Sequence, residues 1–450
     1  MKPRVVVTGM GIVSSAGSGL ESFWETCLQG RLTLEAIPRF WTLFHRFDCK
    51  AWAKLADLPR DQAFLTEIEE KQLDPASILG AYAAKQALED ASLATLPGQG
   101  NSNSFLIQGY LPERMAVFTG TGVAGIQSIL SAYSYHVLHA LKTKLQDLRE
   151  EAGSGSKSDL LAMMRTPRRY HPFIVSMSMA NAVSGTVSIK HGITGPSSTF
   201  CSSCASGTIS IGKAAQAITE GRADMVLAGG AEYLFDEFGC TFRGFDNVGA
   251  LAKGCTETHS TYRPFDRNRT GFLMAEGGAA YLVLETEENA RRRGARIYAE
   301  IAAFSETCDA YNKMAMEPTG KQIRIMLESL LGEGGVAPGD IDYINAHGTG
   351  TEINDEVETR AISALFGKGP AVNSTKSVTG HSLGASGAIE AAATCLSVFH
   401  QKTHGCVGLE EPIADLDFVR KARELRIRHA VSQSFGFGGH NAALLFNQVT

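Results

Sequence analysis

Gly195-Pro196-Ser197-Ser198-Thr199-Phe200-Cys201-Ser202-Ser203-Cys204-Ala205-Ser206-Gly207 is the stretch that decides the fold. It reads as a strand running into a sharp turn, with a helix behind it. Ile211, Ala214, Ala215 and Ile218 fall on one helical face, and Gly221 supplies the stop. Cys204 then sits at or just before the helix N-terminus. Unpaired backbone N–H groups and the positive end of the macrodipole favour a thiolate there. Ser203, Ala205 and Gly207 leave room for a substrate to approach. The ordinary alternative is a small buried hydrophobe, the usual role of a free cysteine. Cys201 and Cys204 form a C-x-x-C, but no second pair and no nearby histidine completes a zinc set, so metal is not expected.

On the N-terminal side, residues 4–8 form a strand-like run leading into Gly9-Met10-Gly11-Ile12-Val13-Ser14. A dinucleotide fingerprint needs glycine where Ser14 stands, so nucleotide binding is rejected. Residues 75–91 have helical spacing, 95–112 read mostly as a surface loop, and 115–118 are the next strand. Residues 129–165 read as helix, Gly-Ser linker and helix, a surface insertion. Residues 177–189 read as one helix of small residues, and strands follow at 224–232 and 279–284. From residue 297 the pattern restarts. Strand-like runs appear at 297–304, 341–345, 371–374, 430–434 and 442–446, with helices between them. The chain therefore reads as an α/β duplication, an N-terminal half over 1–288 and a C-terminal half over 289–450. Active sites in such sheets lie beyond the carboxyl ends of strands.

Composition narrows the function. The 450 residues are 44% apolar and 20% charged, with a net charge of −5. That gives no basic field for nucleic acid. The nine cysteines are scattered without a framework spacing, which fits free thiols in a reducing cytoplasm. No signal-peptide pattern opens the chain, and no run of some 18 apolar residues would span a membrane.

Three further stretches stand at expected strand ends beside glycine-rich turns. They are Asn345-Ala346-His347-Gly348-Thr349-Gly350-Thr351, the run from Asn373 to Gly387 with Lys376 and His381, and Ser434-Phe435-Gly436-Phe437-Gly438-Gly439-His440-Asn441. A lone histidine is usually a satisfied core or surface residue. Two histidines, a lysine and a cysteine placed alike form a candidate site.

In this order the stretches resemble the β-ketoacyl-acyl carrier protein synthases, condensing enzymes of the thiolase superfamily, and most closely the elongating type with a Cys-His-His site. Supporting motifs are A-G-G-A-E at 228–232, R-P-F-D-R-N-R-T-G-F at 263–272 and T-K-S-V-T-G-H at 375–381. The resemblance implies a thiolase-like five-layered α-β-α-β-α duplication with two five-stranded mixed sheets. It implies a decarboxylative condensation in fatty acid or type II polyketide synthesis, with no cofactor beyond the phosphopantetheine arm of an acyl carrier protein. Cys204 is implied as the acyl-accepting nucleophile, with His347 and His381 as donors to the malonyl thioester oxygen. The backbone N–H groups of Cys204 and Phe437 are implied as the oxyanion hole, with Phe437 also as a gate. Lys376 and Glu390 are implied as a pair supporting the second histidine, a role compatible with a plain structural salt bridge. Thr349 and Thr351 are implied to bind pantetheine.

The chain departs from the family pattern at Ser202-Ser203, at Gly350 between the two threonines, and in the long 129–165 stretch. The insertion leaves open a homodimer or a heterodimer with a chain-length-factor-like partner. Other readings are a silent partner subunit, a degradative thiolase and a malonyl decarboxylase. Against them stand the intact Cys204, His347 and His381, and the lack of a second cysteine over 435–440. The Arg165, Arg168, Arg169 cluster reads either as a docking patch for an acidic carrier or as a solvated loop. Cys201 is expected to pack beneath the nucleophile.

Overall fold

The first strand, β1 (Val5–Ser14), runs past the strand-like 4–8 run and straight through the glycine-rich stretch that follows it. The reason is the helix above it, α1 (Pro75–Asp90). A Cβ on Gly11 would lie 2.0 Å from the Ala83 carbonyl oxygen, so only glycine lets strand and helix approach this closely. Asp90 and Gln86 then accept the Met10 and Ile12 N–H groups at 2.9 and 3.0 Å. The computed structural model describes residues 3–43, 45–98, 103–152 and 171–449.

Four more strands complete the first half: β2 (Met115–Gly120), β3 (Ser197–Phe200), β4 (Met225–Tyr233) and β5 (Gly277–Thr286). The second half contributes β6 (Ala299–Cys308), β7 (Tyr343–Asn345), β8 (Ala371–Asn373), β9 (His429–Gly436) and β10 (His440–Asn447). The spatial order is β3-β2-β4-β5-β1 in one half and β8-β7-β9-β10-β6 in the other. In each, the second strand pairs in parallel with the third and fourth, and the remaining pairings are antiparallel. The duplication read from the sequence is thus repeated strand for strand. The two five-stranded sheets are also joined, because β1 pairs antiparallel with β6 over Val5–Val7.

Two helices lie between the sheets and touch both: α4 (Ser206–Thr219) behind the Cys204 stretch and α7 (Ser386–His400) at the equivalent place in the second half. α7 is buried from Ser386 to Val398, as a helix flanked on both sides must be. The two meet at small residues: a Cβ on Gly207 would stand 2.6 Å from the Ala388 nitrogen. Outside, α1 covers β1 and β5, and α5 (Lys321–Gly334) covers β6 and β10. α6 (Glu352–Phe366) packs on α5, completing five α-β-α-β-α layers.

Other expectations need adjustment. The helix foreseen over 177–189 is two, Ile174–Ser178 and α3 (Ala182–His191). Extended backbone at Met179 separates them, and the backbone at Met177 and Ser178 lies against Gly125, which has no room for a Cβ. The 95–112 loop contains a small antiparallel pairing of Thr95–Pro97 with Phe105–Ile107. The 129–165 stretch begins as part of a 27-residue helix, α2 (Ile126–Ala152). Its remainder and the Arg165, Arg168, Arg169 cluster lie outside the described residues. No helix among the described residues is long and apolar enough to cross a membrane.

Candidate active site

The Cys204 elbow is built by short-range hydrogen bonds after β3 ends at Phe200. Ser206 Oγ accepts the Ser202 N–H at 2.8 Å, and the Ser206 N–H donates to the Ser203 carbonyl at 3.2 Å. Folding the chain back this tightly puts Ser203 at a φ of 53°, a left-handed conformation uncommon outside glycine. Cys204 follows, two residues before α4, and is 6% exposed. It packs in an apolar cluster with Leu383, Trp41, Trp52 and Phe242.

The second half supplies the polar side. The loop after β7 carries His347, whose N–H and that of Gly348 both donate to the Glu358 carboxylate on α6, at 2.7 and 2.8 Å. Lys376 opens a short helix (Lys376–Thr379) after β8 and is fully buried. Its ammonium donates to His347 Nδ1 at 3.0 Å, to the His347 carbonyl at 2.7 Å and to Glu390 Oε1. An ammonium has three protons and no lone pair, so His347 Nδ1 must be the acceptor and the ring proton sits on Nε2. His381 reaches Cys204 Sγ through Nε2 at 3.2 Å. The two imidazoles stand edge to face, with centroids 5.6 Å apart.

Two expectations are corrected here. Lys376 and Glu390 support the first histidine, His347; they do not contact His381. The reason is reach: the Lys376 ammonium is engaged by the His347 ring and carbonyl and by Glu390, while His381 lies beyond Gly380, where the chain turns with a φ of 66°. Cys201 does not pack beneath Cys204. It is exposed, and its thiol donates to the Gly122 carbonyl at 3.4 Å.

Burial governs the protonation states. The Cys204 thiol is pushed up to about 11 by desolvation, against the opposing pull of the Ser203 hydrogen bond and the Lys376 charge. The helix N-terminus, expected to favour a thiolate, is outweighed by this apolar setting. His347 is held well below its ordinary value by burial, then by Lys376 and His381, and His381 is lowered by burial and Lys376. Both imidazoles are neutral at pH 7. Burial pushes the Glu390 carboxyl up to about 7, against the Lys376 charge.

A cavity of about 440 Å³ opens from Cys204, His347 and His381 past Thr349 and Thr351 to the surface. The Thr349 and Thr351 hydroxyls are 2.8 Å apart on its wall. Phe437 lines it from the other side and is 39% exposed, with Gly438 and Gly439 behind it at φ 88° and 82°. The preceding Gly436 abuts the elbow, since a Cβ there would stand 2.7 Å from the Ser202 carbonyl.

The structure thus brings together Cys204, His347, His381 and Lys376, with Glu390 behind the lysine and Thr349, Thr351 and Phe437 along the approach. Sequence reading missed Glu358, which fixes the His347 loop, and gave no role to Glu232 in the quoted A-G-G-A-E. Buried Glu232 accepts N–H groups of Gly122, Val123 and Gly384, tying the first half to the turn after His381. An acidic residue inside a motif bound for a buried strand was the available signal.

Comparison with known proteins bears on this arrangement. The Beta-ketoacyl synthase, N-terminal domain family matches residues 2–290, and the Beta-ketoacyl synthase, C-terminal domain family matches 298–410. A 3-oxoacyl-[acyl-carrier-protein] synthase 2 of Synechocystis sp. is 35% identical over 453 residues, spanning 99% of this chain and 98% of that protein. Among solved structures, the ishigamide ketosynthase/chain length factor superposes with a TM-score of 0.80 at 28% identity, with 100% of both chains covered. A type II PKS acyl-carrier protein in complex with its ketosynthase, bound to the hexaketide, gives 0.79 at 26%, again over 100% of both chains. The chain, with its cysteine and two histidines converging from duplicated halves, belongs to the β-ketoacyl synthase family.

Proposed function

We propose that the protein is a β-ketoacyl-acyl carrier protein synthase, an acyltransferase that condenses a Cys204-bound acyl group with malonyl-acyl carrier protein. The observation that carries this reading is the 3.2 Å approach of His381 Nε2 to Cys204 Sγ, with His347 beside it at the floor of a cavity open to the surface. The halves 1–288 and 289–450 supply the nucleophile and the histidines respectively.

In the first step the Cys204 sulfur attacks the carrier-bound acyl thioester. The carrier thiol leaves, and the Cys204 proton ends on it. In the second, malonyl-carrier occupies the cavity with its thioester oxygen facing the Nε2–H groups of His347 and His381. Breaking the carboxylate C–C bond releases CO₂ and leaves an enolate whose charge these donors stabilise. The enolate carbon attacks the Cys204 thioester. The oxyanion is met by the backbone N–H groups of Cys204 and Phe437, neither of which donates to another protein group among the described residues. Collapse expels the Cys204 sulfur as a thiolate, which takes a proton from water to restore the thiol, and releases the β-ketoacyl-carrier product. Lys376, held by Glu390, keeps His347 in the required tautomer. The Thr349 and Thr351 hydroxyls bind the pantetheine arm, and Phe437 swings on its glycines to admit it.

The substrates ride on phosphopantetheine, so no further cofactor is required. The free thiols suit a cytoplasmic setting. A second reading has the chain condense only beside a chain-length-factor-like partner, and the solved ketosynthase/chain length factor likeness favours it. The test is to incubate the purified protein with acyl- and malonyl-carrier proteins. β-Ketoacyl product from the chain alone supports a self-sufficient synthase. Product only after a partner is added supports the second reading. Neither acylation nor condensation under either condition refutes both.

A further inference from the structure

We infer that Ser386 is a positioning residue that fixes the tautomer of His381, doing with a neutral hydroxyl what Lys376 does for His347 with a charge. The inference rests on the proposed reading of His381 as a hydrogen-bond donor to the malonyl thioester.

Ser386 opens α7 and is 3% exposed. Its Oγ lies 2.9 Å from His381 Nδ1 and takes the Ser382 N–H at 2.9 Å. These are its hydrogen bonds among the described residues. A hydroxyl offers one proton and two lone pairs. The Ser382 N–H occupies one lone pair. If the Ser386 proton goes to His381 Nδ1, every group is satisfied, Nδ1 is the acceptor and the ring proton sits on Nε2. If Nδ1 carried the proton instead, both lone pairs would be filled and the Ser386 proton would be left buried with no acceptor. An unmade buried hydrogen bond of this kind disfavours that form by about tenfold or more.

The rest of the surroundings keeps the ring from escaping this choice. The His381 N–H donates to the Leu273 carbonyl at 2.7 Å, and the His381 carbonyl accepts from Ala275 at 3.1 Å. The Phe272 ring meets the imidazole edge to face, with centroids 5.3 Å apart. Nε2 is therefore aimed at Cys204 Sγ and Nδ1 at Ser386. Among the described residues no lysine or arginine hydrogen-bonds the His381 ring, so its orientation is set by neutral groups. Ser382 completes the turn by donating to Ser386 through its backbone and to the Gly277 carbonyl through its hydroxyl, at 3.1 Å. Among the described residues the Ser386 hydroxyl is thus the side-chain group that hydrogen-bonds Nδ1.

The test is two-bond ¹H–¹⁵N correlation on the full chain labelled at histidine, with the His381 signal assigned by its loss in His381→Asn. The wild type is expected to show an unprotonated Nδ1 and a protonated Nε2. Ser386→Ala is expected to shift the population toward Nδ1–H and to slow malonyl-carrier decarboxylation about tenfold, while acylation of Cys204 falls less. Ser386→Thr, which restores the hydroxyl, is expected to recover the wild-type pattern and rate within about twofold. An Nδ1–H ring in the wild type, or an unchanged Nε2–H pattern in Ser386→Ala, overturns the inference. A tautomer shift in Ser386→Ala with an unchanged decarboxylation rate supports Ser386 as the tautomer-setting residue and refutes the donor role of His381.

Discussion

The ends of the two half-sheets are built on one plan and surrounded in opposite ways. In the first half, the loop after the third strand delivers a single sulfur into an apolar cluster with Leu383, Trp52 and Phe242, and burial raises its thiol to about 11. In the second, the loops after the second and third strands deliver His347, Lys376 and His381 into a hydrogen-bonded polar network with Glu358, Glu390 and Ser386. Burial is complete in both, yet it acts differently. On the sulfur side the Ser203 hydroxyl and the Lys376 charge only partly offset the loss of water, so the thiol stays neutral. On the imidazole side His347 Nδ1, His381 Nδ1 and the Glu390 carboxyl each have a hydrogen-bonding partner, and the partners dictate where protons reside. A duplicated scaffold thus supplies two environments, one that withholds charge and one that directs it.

The comparison breaks most sharply at the nucleophile. Cys204→Ala is expected to abolish the acyl adduct and lower condensation by about a thousandfold or more, as read by intact-protein mass spectrometry and product formation. An adduct on exposed Cys201 in the wild type would move the site out of the apolar half. Next comes the polar half. Lys376→Met leaves the Glu390 carboxyl and His347 Nδ1 buried without their partner, and unfolding free energy is expected to fall by about 3–5 kcal/mol. Denaturant titration measures it, and a loss under about 1 kcal/mol would show that Lys376 does not hold Glu390 and His347 as described.

Two smaller effects sharpen the contrast. Alkylation of Cys204 in the empty protein is expected to rise with pH toward a midpoint of about 11, because thiolate is the reactive form and its pKa is raised. The histidine ¹⁵N shifts of His347 and His381 are expected to stay flat from pH 8 to pH 6 and to move only in more acid solution. Both rings are depressed below the ordinary value of 6.5, so they remain neutral through that range and acquire protons only beneath it. A midpoint near 6.5 in either ring would mean the imidazoles are not desolvated. Last, Thr351→Val is expected to raise KM for carrier-bound substrate about fivefold with little change in kcat.

What could be read without the structure follows from where the signals lie along the chain. The Cys204 elbow, the face of α4 and the strand-end histidines are local patterns, and they appear where expected. β1 is longer than the 4–8 run read from the sequence, because Gly9 and Gly11 serve close contact with α1 and carry no strand-like pattern of their own. The lysine–glutamate pair was placed at the wrong histidine because Lys376 lies five residues before His381 in sequence and, in space, beside His347.

The sequence by itself determined the duplicated α/β plan, the family and the reactive side-chain types, because periodicity and motif order survive in one dimension. Tertiary structure alone decided how those groups behave. It joined β1 to β6, brought Cys204 within 3.2 Å of His381, and assigned each imidazole its partner. Proton positions and thiol acidity depend on desolvation and on where each partner's side chain is aimed, and neither exists until the chain has folded.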